Sequence, residues 1–163
     1  MTNAESTPLL SLGTHTEEHP EVVLESTIRV TTKTLASLIS ESNIPEMLAL
    51  DIQGVELRAL KGFGKALGKV NWIYSEVNRR ELYEGCGLVW ELDKYLSNFG
   101  FKRVMSKWSD HGWGDALYVN KSVKVTFSGR TRRVVWRLMN QFREIREFLG
   151  KLKISLKRSF NSH

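Results

Sequence analysis

The chain has 163 residues, 41% of them apolar and 26% charged, enough for one domain with a real core and too balanced for a disordered or fibrous polypeptide. No run nears the roughly 18 apolar residues that a membrane-spanning helix needs, and the opening MTNAESTPLL lacks the basic start and long apolar stretch of a secretory signal. The net charge of +6 is unevenly divided: residues 1–120 carry 12 Lys/Arg against 16 Asp/Glu, whereas residues 121–163 carry 12 Lys/Arg against Glu144 and Glu147 alone.

In chain order, residues 1–26 form a polar arm with Pro8, Gly13 and Pro20 and little expected structure. Thr27 to Thr31 alternates with β-branched residues and predicts a strand. Thr34 is placed to cap a helix over 35–42, with Leu35, Leu38 and Ile39 on one face, until Pro45 breaks it. Met47 to Leu50 is a short apolar run ending at Asp51, the pattern of a strand buried on both faces of a parallel sheet. Glu56 to Leu67 has helical spacing, with Leu57, Leu60 and Phe63 inward and Arg58, Lys61 and Lys65 outward. Val70 to Tyr74 predicts a second buried strand, ending at Ser75-Glu76-Val77-Asn78. A helix over 88–99 is closed by Gly100. Strands over 102–108 and 116–120 are joined by the turn Asp110-His111-Gly112-Trp113-Gly114. The order predicts an α/β fold with a parallel sheet and an antiparallel terminal strand over 27–120. From Thr131, Val134, Leu138, Phe142, Ile145 and Leu149 recur among arginines, the pattern of a basic amphipathic helix within a 121–163 tail.

Gly62 to Gly68 imitates a dinucleotide-binding glycine loop, but it ends a helix instead of linking a strand to a helix start, so it is not read as one. The informative stretch is Asp51-Ile52-Gln53-Gly54-Val55-Glu56. A carboxylate just past a buried strand lies where open α/β sheets bind ligands. Gly54 permits close backbone approach, and Glu56 suits the positive end of a helix. The next strand repeats the arrangement with Glu76 and Asn78, so both strand ends converge on one edge. From pattern alone, capping and site roles both remain open for Asp51 and Glu56. The histidines offer no convergent ligand set, and no metal site is expected. Cys86, the one cysteine, excludes an internal disulfide framework and reads as a buried thiol in a reducing, cytoplasmic setting.

At these residues the sequence resembles the FkbM family of methyltransferases. The resemblance runs through Leu48 to Asp51, Gln53-Gly54-Val55-Glu56, Leu60-Lys61-Gly62, Glu76-Val77-Asn78, Leu82-Tyr83-Glu84-Gly85, Tyr95-Leu96 to Gly100-Phe101, and Gly112-Trp113-Gly114-Asp115-Ala116-Leu117-Tyr118. It also includes Leu12 to His15 and His19-Pro20, and so spans roughly residues 9–120. Gln53 stands where the family more often has Glu. The resemblance implies a Rossmann-like, S-adenosylmethionine-dependent O-methyltransferase fold with a sugar or glycan hydroxyl as acceptor. It implies Asp51 and Glu76 as catalytic base or orienting group, and Asp51, Gln53 and Gly54 toward the cofactor. Glu56, Asn78, Trp113 and Asp115 are the candidates toward substrate.

The family's glycine-rich first half has no counterpart upstream of residue 27, so the expectation is the C-terminal half of the domain, with no useful cofactor affinity by itself. The apolar strand 47–50 is then expected to present a bare edge that recruits a second copy or a complementing chain. The competing class is a non-catalytic module whose basic tail meets an anionic membrane surface or, less in keeping with the sequence, nucleic acid. A tail of that kind would make the protein peripheral at a membrane.

Overall fold

The computed structural model describes residues 9–14, 29–123 and Arg137. A four-stranded sheet runs through β1 (Met47–Leu50), β2 (Trp72–Asn78), β3 (Phe101–Trp108) and β4 (Trp113–Asn120), in the spatial order β1-β2-β4-β3. β1 pairs with β2 in parallel, Leu48 beside Ile73 and Leu50 beside Ser75. β4 lies antiparallel between β2 and β3. β1, β2 and β3 therefore run in one direction and only β4, the last strand of the chain, runs against them, the parallel sheet with an antiparallel terminal strand that the sequence predicts. The tight 109–112 turn joins β3 to β4 as a hairpin, and β4 then inserts beside β2.

The helices α1 (Leu35–Leu38), α2 (Glu56–Phe63) and α3 (Val89–Ser97) complete the described elements, with 3₁₀ turns at Glu41–Asn43 and Gly64–Lys69. Leu57, Leu60 and Phe63 of α2 and Leu92 and Leu96 of α3 bury against Leu48, Leu50, Ile73, Val77, Ala116 and Tyr118. By the strand register these sheet residues share one face. Each fully buried Leu or Phe there contributes about 1.5–3 kcal/mol.

A polar clamp ties α3 to the hairpin. Arg103 donates to both carboxylate oxygens of Asp93, at 3.0 and 2.9 Å, and the Tyr118 hydroxyl donates to Asp93 Oδ1 at 2.9 Å. Burial, then the neighbouring Asp93 charge, hold the Tyr118 hydroxyl far above its ordinary pKa. At the start of α3 the Glu91 carboxylate accepts the Leu88 backbone N–H at 2.8 Å, satisfying a donor the helix leaves orphaned.

Several sequence expectations are corrected. Residues 29–33 form no strand and are exposed, since β-branched propensity needs a neighbouring strand that this stretch lacks among the described residues. The helix expected over 35–42 closes after one turn. Thr34 makes no side-chain cap, Ile39 turns extended, and Leu38, left on the outer side, is 61% exposed. β1 is buried on one face only, with Leu48 and Leu50 inward and Met47 and Ala49 exposed. The helix expected over 56–67 gives way to a 3₁₀ turn at Gly64, whose φ of 58° no longer continues the α-helix. β2 begins at Trp72, two residues later than expected, and ends at Asn78 as the sequence predicts.

Residues 9–14 are not structureless. Leu12 bridges Tyr83, the Gly13 N–H donates to the Leu82 carbonyl at 3.0 Å, and the Glu84 N–H donates to the Ser11 carbonyl at 3.0 Å. The predicted strand at 27–28 and, except for the exposed Arg137, the amphipathic tail helix over 131–149 lie outside the described residues.

Candidate functional site

The second face of the sheet carries different chemistry. Alternation along β2 puts Tyr74, Glu76 and Asn78 opposite in direction to Ile73, Ser75 and Val77. Across to β4, Glu76 stands opposite Asp115 and Asn78 opposite Trp113, and Asp115 in turn faces Lys107 of β3. Glu76 and Asp115 are both buried.

Asp51 joins the row from the other side. It follows β1, whose Leu50 sits beside Ser75, so the chain delivers it next to Glu76. One carboxylate oxygen each from Asp51, Glu56 and Glu76 lie within 4.8 Å of one another. The end of β1, the start of α2 and Glu76 within β2 thus meet in one place. Asp51 is half-buried, whereas Glu56 and Glu76 are buried.

The turn from β1 into α2 sets these groups. Glu56 Oε1 accepts the Ile52 N–H at 2.9 Å and the Gly54 N–H at 3.3 Å, closing the turn from the helix side. Burial, and then the nearby Asp51 charge, hold the Glu56 carboxyl above its ordinary value against those backbone donors. Gln53, at a φ of 58°, donates from Nε2 to Asp51 Oδ1 at 3.4 Å, and its Oε1 accepts the Tyr83 hydroxyl. Gln53 therefore links Asp51 to Tyr83, and the amide in place of an acid allows it to donate and accept at once.

Gly54 is required for a different reason than the sequence suggests. Its φ is 93°, and a Cβ there would come within 2.8 Å of Cys86 Cβ and 3.0 Å of the Tyr83 ring. The close approach is to the chain's own wall, not to open space for a ligand. That wall is a second apolar cluster of Leu82, Tyr83 and Cys86, packed with Leu10, Leu12, Leu88 and Trp113. Burial pushes the Cys86 thiol up, as expected of a packed cysteine.

Of the sequence candidates, Asp51, Glu56 and Glu76 come together; Asn78 lies one pleat beyond Glu76 on its face, and Asp115 lies across from Glu76. Gln53 and Gly54 shape the turn. Trp113 is half-buried on the second cluster. Tyr83, Cys86 and Leu10 were not assigned a site role from sequence. Tyr83 falls in a family-like stretch, but nothing local in the sequence shows that residues 9–14 bring a wall to it. Among the described residues no glycine-rich turn links a strand to a helix start beyond this one, which Glu56 and Cys86 fill. Among the described residues no helix is long and apolar enough to cross a membrane.

Comparison with known proteins identifies the family. Residues 2–103 match the model of the methyltransferase FkbM domain. The chain is 33% identical over 73 residues to the 2-O-methyltransferase NoeI of Sinorhizobium fredii (strain NBRC 101917 / NGR234). That alignment covers 44% of this chain and 30% of the relative, so the chain spans less than a third of the length of the protein it matches. No solved structure matches the chain. With more than half of its length, residues 2–103, matched by the methyltransferase FkbM domain, the chain belongs to the FkbM family of methyltransferases.

Proposed function

We propose that this chain carries the acceptor side of an S-adenosylmethionine-dependent O-methyltransferase, with a sugar or glycan hydroxyl as methyl acceptor. The observation that carries this reading is the meeting of Asp51 and Glu76 at the end of the parallel strand pair, in a chain of a methyltransferase family. The name of the relative, a 2-O-methyltransferase, supports a hydroxyl acceptor. The sheet order, with α2 and α3 packed on the same face, supports a Rossmann-like fold whose sheet continues past β1.

An acceptor hydroxyl must lose its proton as its oxygen gains a carbon, and a carboxylate within hydrogen-bond reach takes that proton. Asp51 is the better placed base: it is reachable from solvent, and the Gln53–Tyr83 link orients it as an outer-shell partner does. Glu76, buried beside it, orients the hydroxyl by accepting a hydrogen bond. The cofactor, when bound, supplies an electrophilic methyl group. Since the described residues form one wall only, the reading includes a second polypeptide segment, from a complementing chain or another copy, pairing with the outer edge of β1.

The test is transfer of labelled methyl from S-adenosylmethionine to a panel of oligosaccharides. The full chain is assayed alone and mixed with the cofactor-binding half of an FkbM enzyme. Transfer is expected in the mixture and to fall at least about 100-fold on Asp51→Asn, the usual weight of a positioned base. Micromolar cofactor binding by a monomer of this chain would remove the need for a complementing segment. A mixture that binds cofactor and transfers nothing would end the enzyme reading.

A further inference from the structure

We propose that Asp51, Glu76 and Asn78 form a site for a hard divalent cation, with Glu56 as a third carboxylate at its edge. The first observation is geometric. One oxygen from each of three carboxylates falls within 4.8 Å of the other two. Oxygen ligands held about 2.0–2.6 Å from one ion lie no more than about 4–5 Å apart, so this spacing is compatible with the shell of a hard divalent cation. The groups come from three separate elements, the end of β1, the start of α2 and the middle of β2, so no single helix or loop creates the spacing.

The second observation is independent of the acids. Asn78 is fully buried, and neither its Oδ1 nor its Nδ2 has a hydrogen-bond partner. Buried amides are nearly always satisfied, and an orphaned one calls for a ligand or water. Asn78 stands one pleat beyond Glu76 on the same face of β2, at the strand end toward which β1 delivers Asp51. Its Oδ1 is a hard oxygen ligand of the kind these cations take, and its Nδ2 suits a water in the cation's shell. A cation there converts the closeness of the carboxylates from repulsion into coordination and gives the orphaned amide its partners. An all-oxygen set favours Mg²⁺, Mn²⁺ or Ca²⁺ over zinc or copper, which prefer imidazole and thiolate.

Mn²⁺ is the probe. The full chain, freed of metal by a chelating resin, is titrated with Mn²⁺ while free ion is followed by electron paramagnetic resonance, with Mg²⁺ and Ca²⁺ as competitors. One saturable site is expected per chain, absent in the double variant Asp51→Asn/Glu76→Gln. Asn78→Ala is expected to weaken binding at least about tenfold, as loss of a supporting group at a metal site does. Asn78→Asp adds charge, keeps an oxygen and is expected to tighten it, so that variant decides the matter if Asn78→Ala does not fold by circular dichroism. Absence of saturable binding at millimolar Mn²⁺, or binding retained by the double variant, would overturn the proposal. The readout contains neither cofactor nor acceptor, so its failure is distinct from failure of the methyltransferase reading.

Discussion

The two faces of β2 and β4 are built from alternate residues of the same strands, yet they follow different rules. The helix-covered face presents Ile73, Val77, Ala116 and Tyr118, and its polar side chains are satisfied: Ser75 donates to the Glu76 carbonyl at 2.8 Å, Asn120 to the Phe99 carbonyl at 3.2 Å and the Tyr118 hydroxyl to Asp93 at 2.9 Å. The other face is apolar at one end, with Tyr74, Leu117 and Val119, and turns acidic at the other, with Glu76 and Asp115. Burying a carboxylate costs several kcal/mol before any partner returns it. A sequence that could alternate leucine and valine there instead keeps acids. The contrast teaches that one face is built as an apolar core and the other buries acidic side chains at the cost of some stability.

The sharpest way to break that comparison is to cut each face once. Leu60 is fully buried beneath the sheet, and Leu60→Ala is expected to cost about 2–5 kcal/mol in urea or thermal unfolding. Glu76→Gln keeps the shape, removes a buried charge, and is expected to change stability by no more than about 1 kcal/mol in either direction. If the two variants are equally destabilised, the acidic face is structural and the distinction fails.

Next in size is the turn that joins the faces. Gly54→Ala meets Cys86 Cβ at 2.8 Å and must hold a φ of 93°. The left-handed backbone alone costs about 1–2 kcal/mol, and the overlap adds to it. The contact sits at the β-carbon, so Cys86→Ala gives no relief, whereas Cys86→Gly recovers the overlap and leaves the backbone part. A double-mutant cycle with no coupling between positions 54 and 86 would show that the wall and the turn are independent.

The sequence made the apolar face legible because a core writes itself as periodicity: Leu57, Leu60 and Phe63, then Leu92 and Leu96, recur at helical spacing and are all buried. Asp51 and Glu76 were legible as neighbours because parallel strands entered in succession end at the same edge. Three things were not. The 35–42 segment reads as a helix by local preference, but tertiary packing takes only Leu35 and Ile39 and leaves Leu38 outside. The place of β4 between β2 and β3 is a long-range pairing that turn residues do not encode. The wall made by Leu10, Leu12, Tyr83 and Cys86 joins segments some 70 residues apart, and no spacing rule reaches that far. The sequence shows that Gly54 permits a close approach but not that Cys86 is what approaches it.

The smallest effect tests whether a polar group can serve the stabilising face. Tyr118→Phe keeps the ring in the core and removes one donor from Asp93, which retains both bonds from Arg103. The expected cost near neutral pH is about 1 kcal/mol. Its pH dependence carries the argument further. Burial first, and then Asp93, raise the hydroxyl's pKa in the folded chain well above its unfolded value, with Arg103 opposing. The folded state therefore keeps a proton that the unfolded state gives up once pH exceeds about 10. That contribution to stability is whole below the unfolded pKa and is lost as pH rises above it. Burial raises Tyr95 in the same direction, so the wild type retains some alkaline sensitivity in any case. Unfolding followed between pH 8 and 11 should show the wild type losing stability more steeply than Tyr118→Phe, with the gap between them closing as pH climbs. Parallel curves would mean that the hydroxyl ionises freely in the folded chain. The clamp on Asp93 would then be no more sheltered from water than the acidic edge.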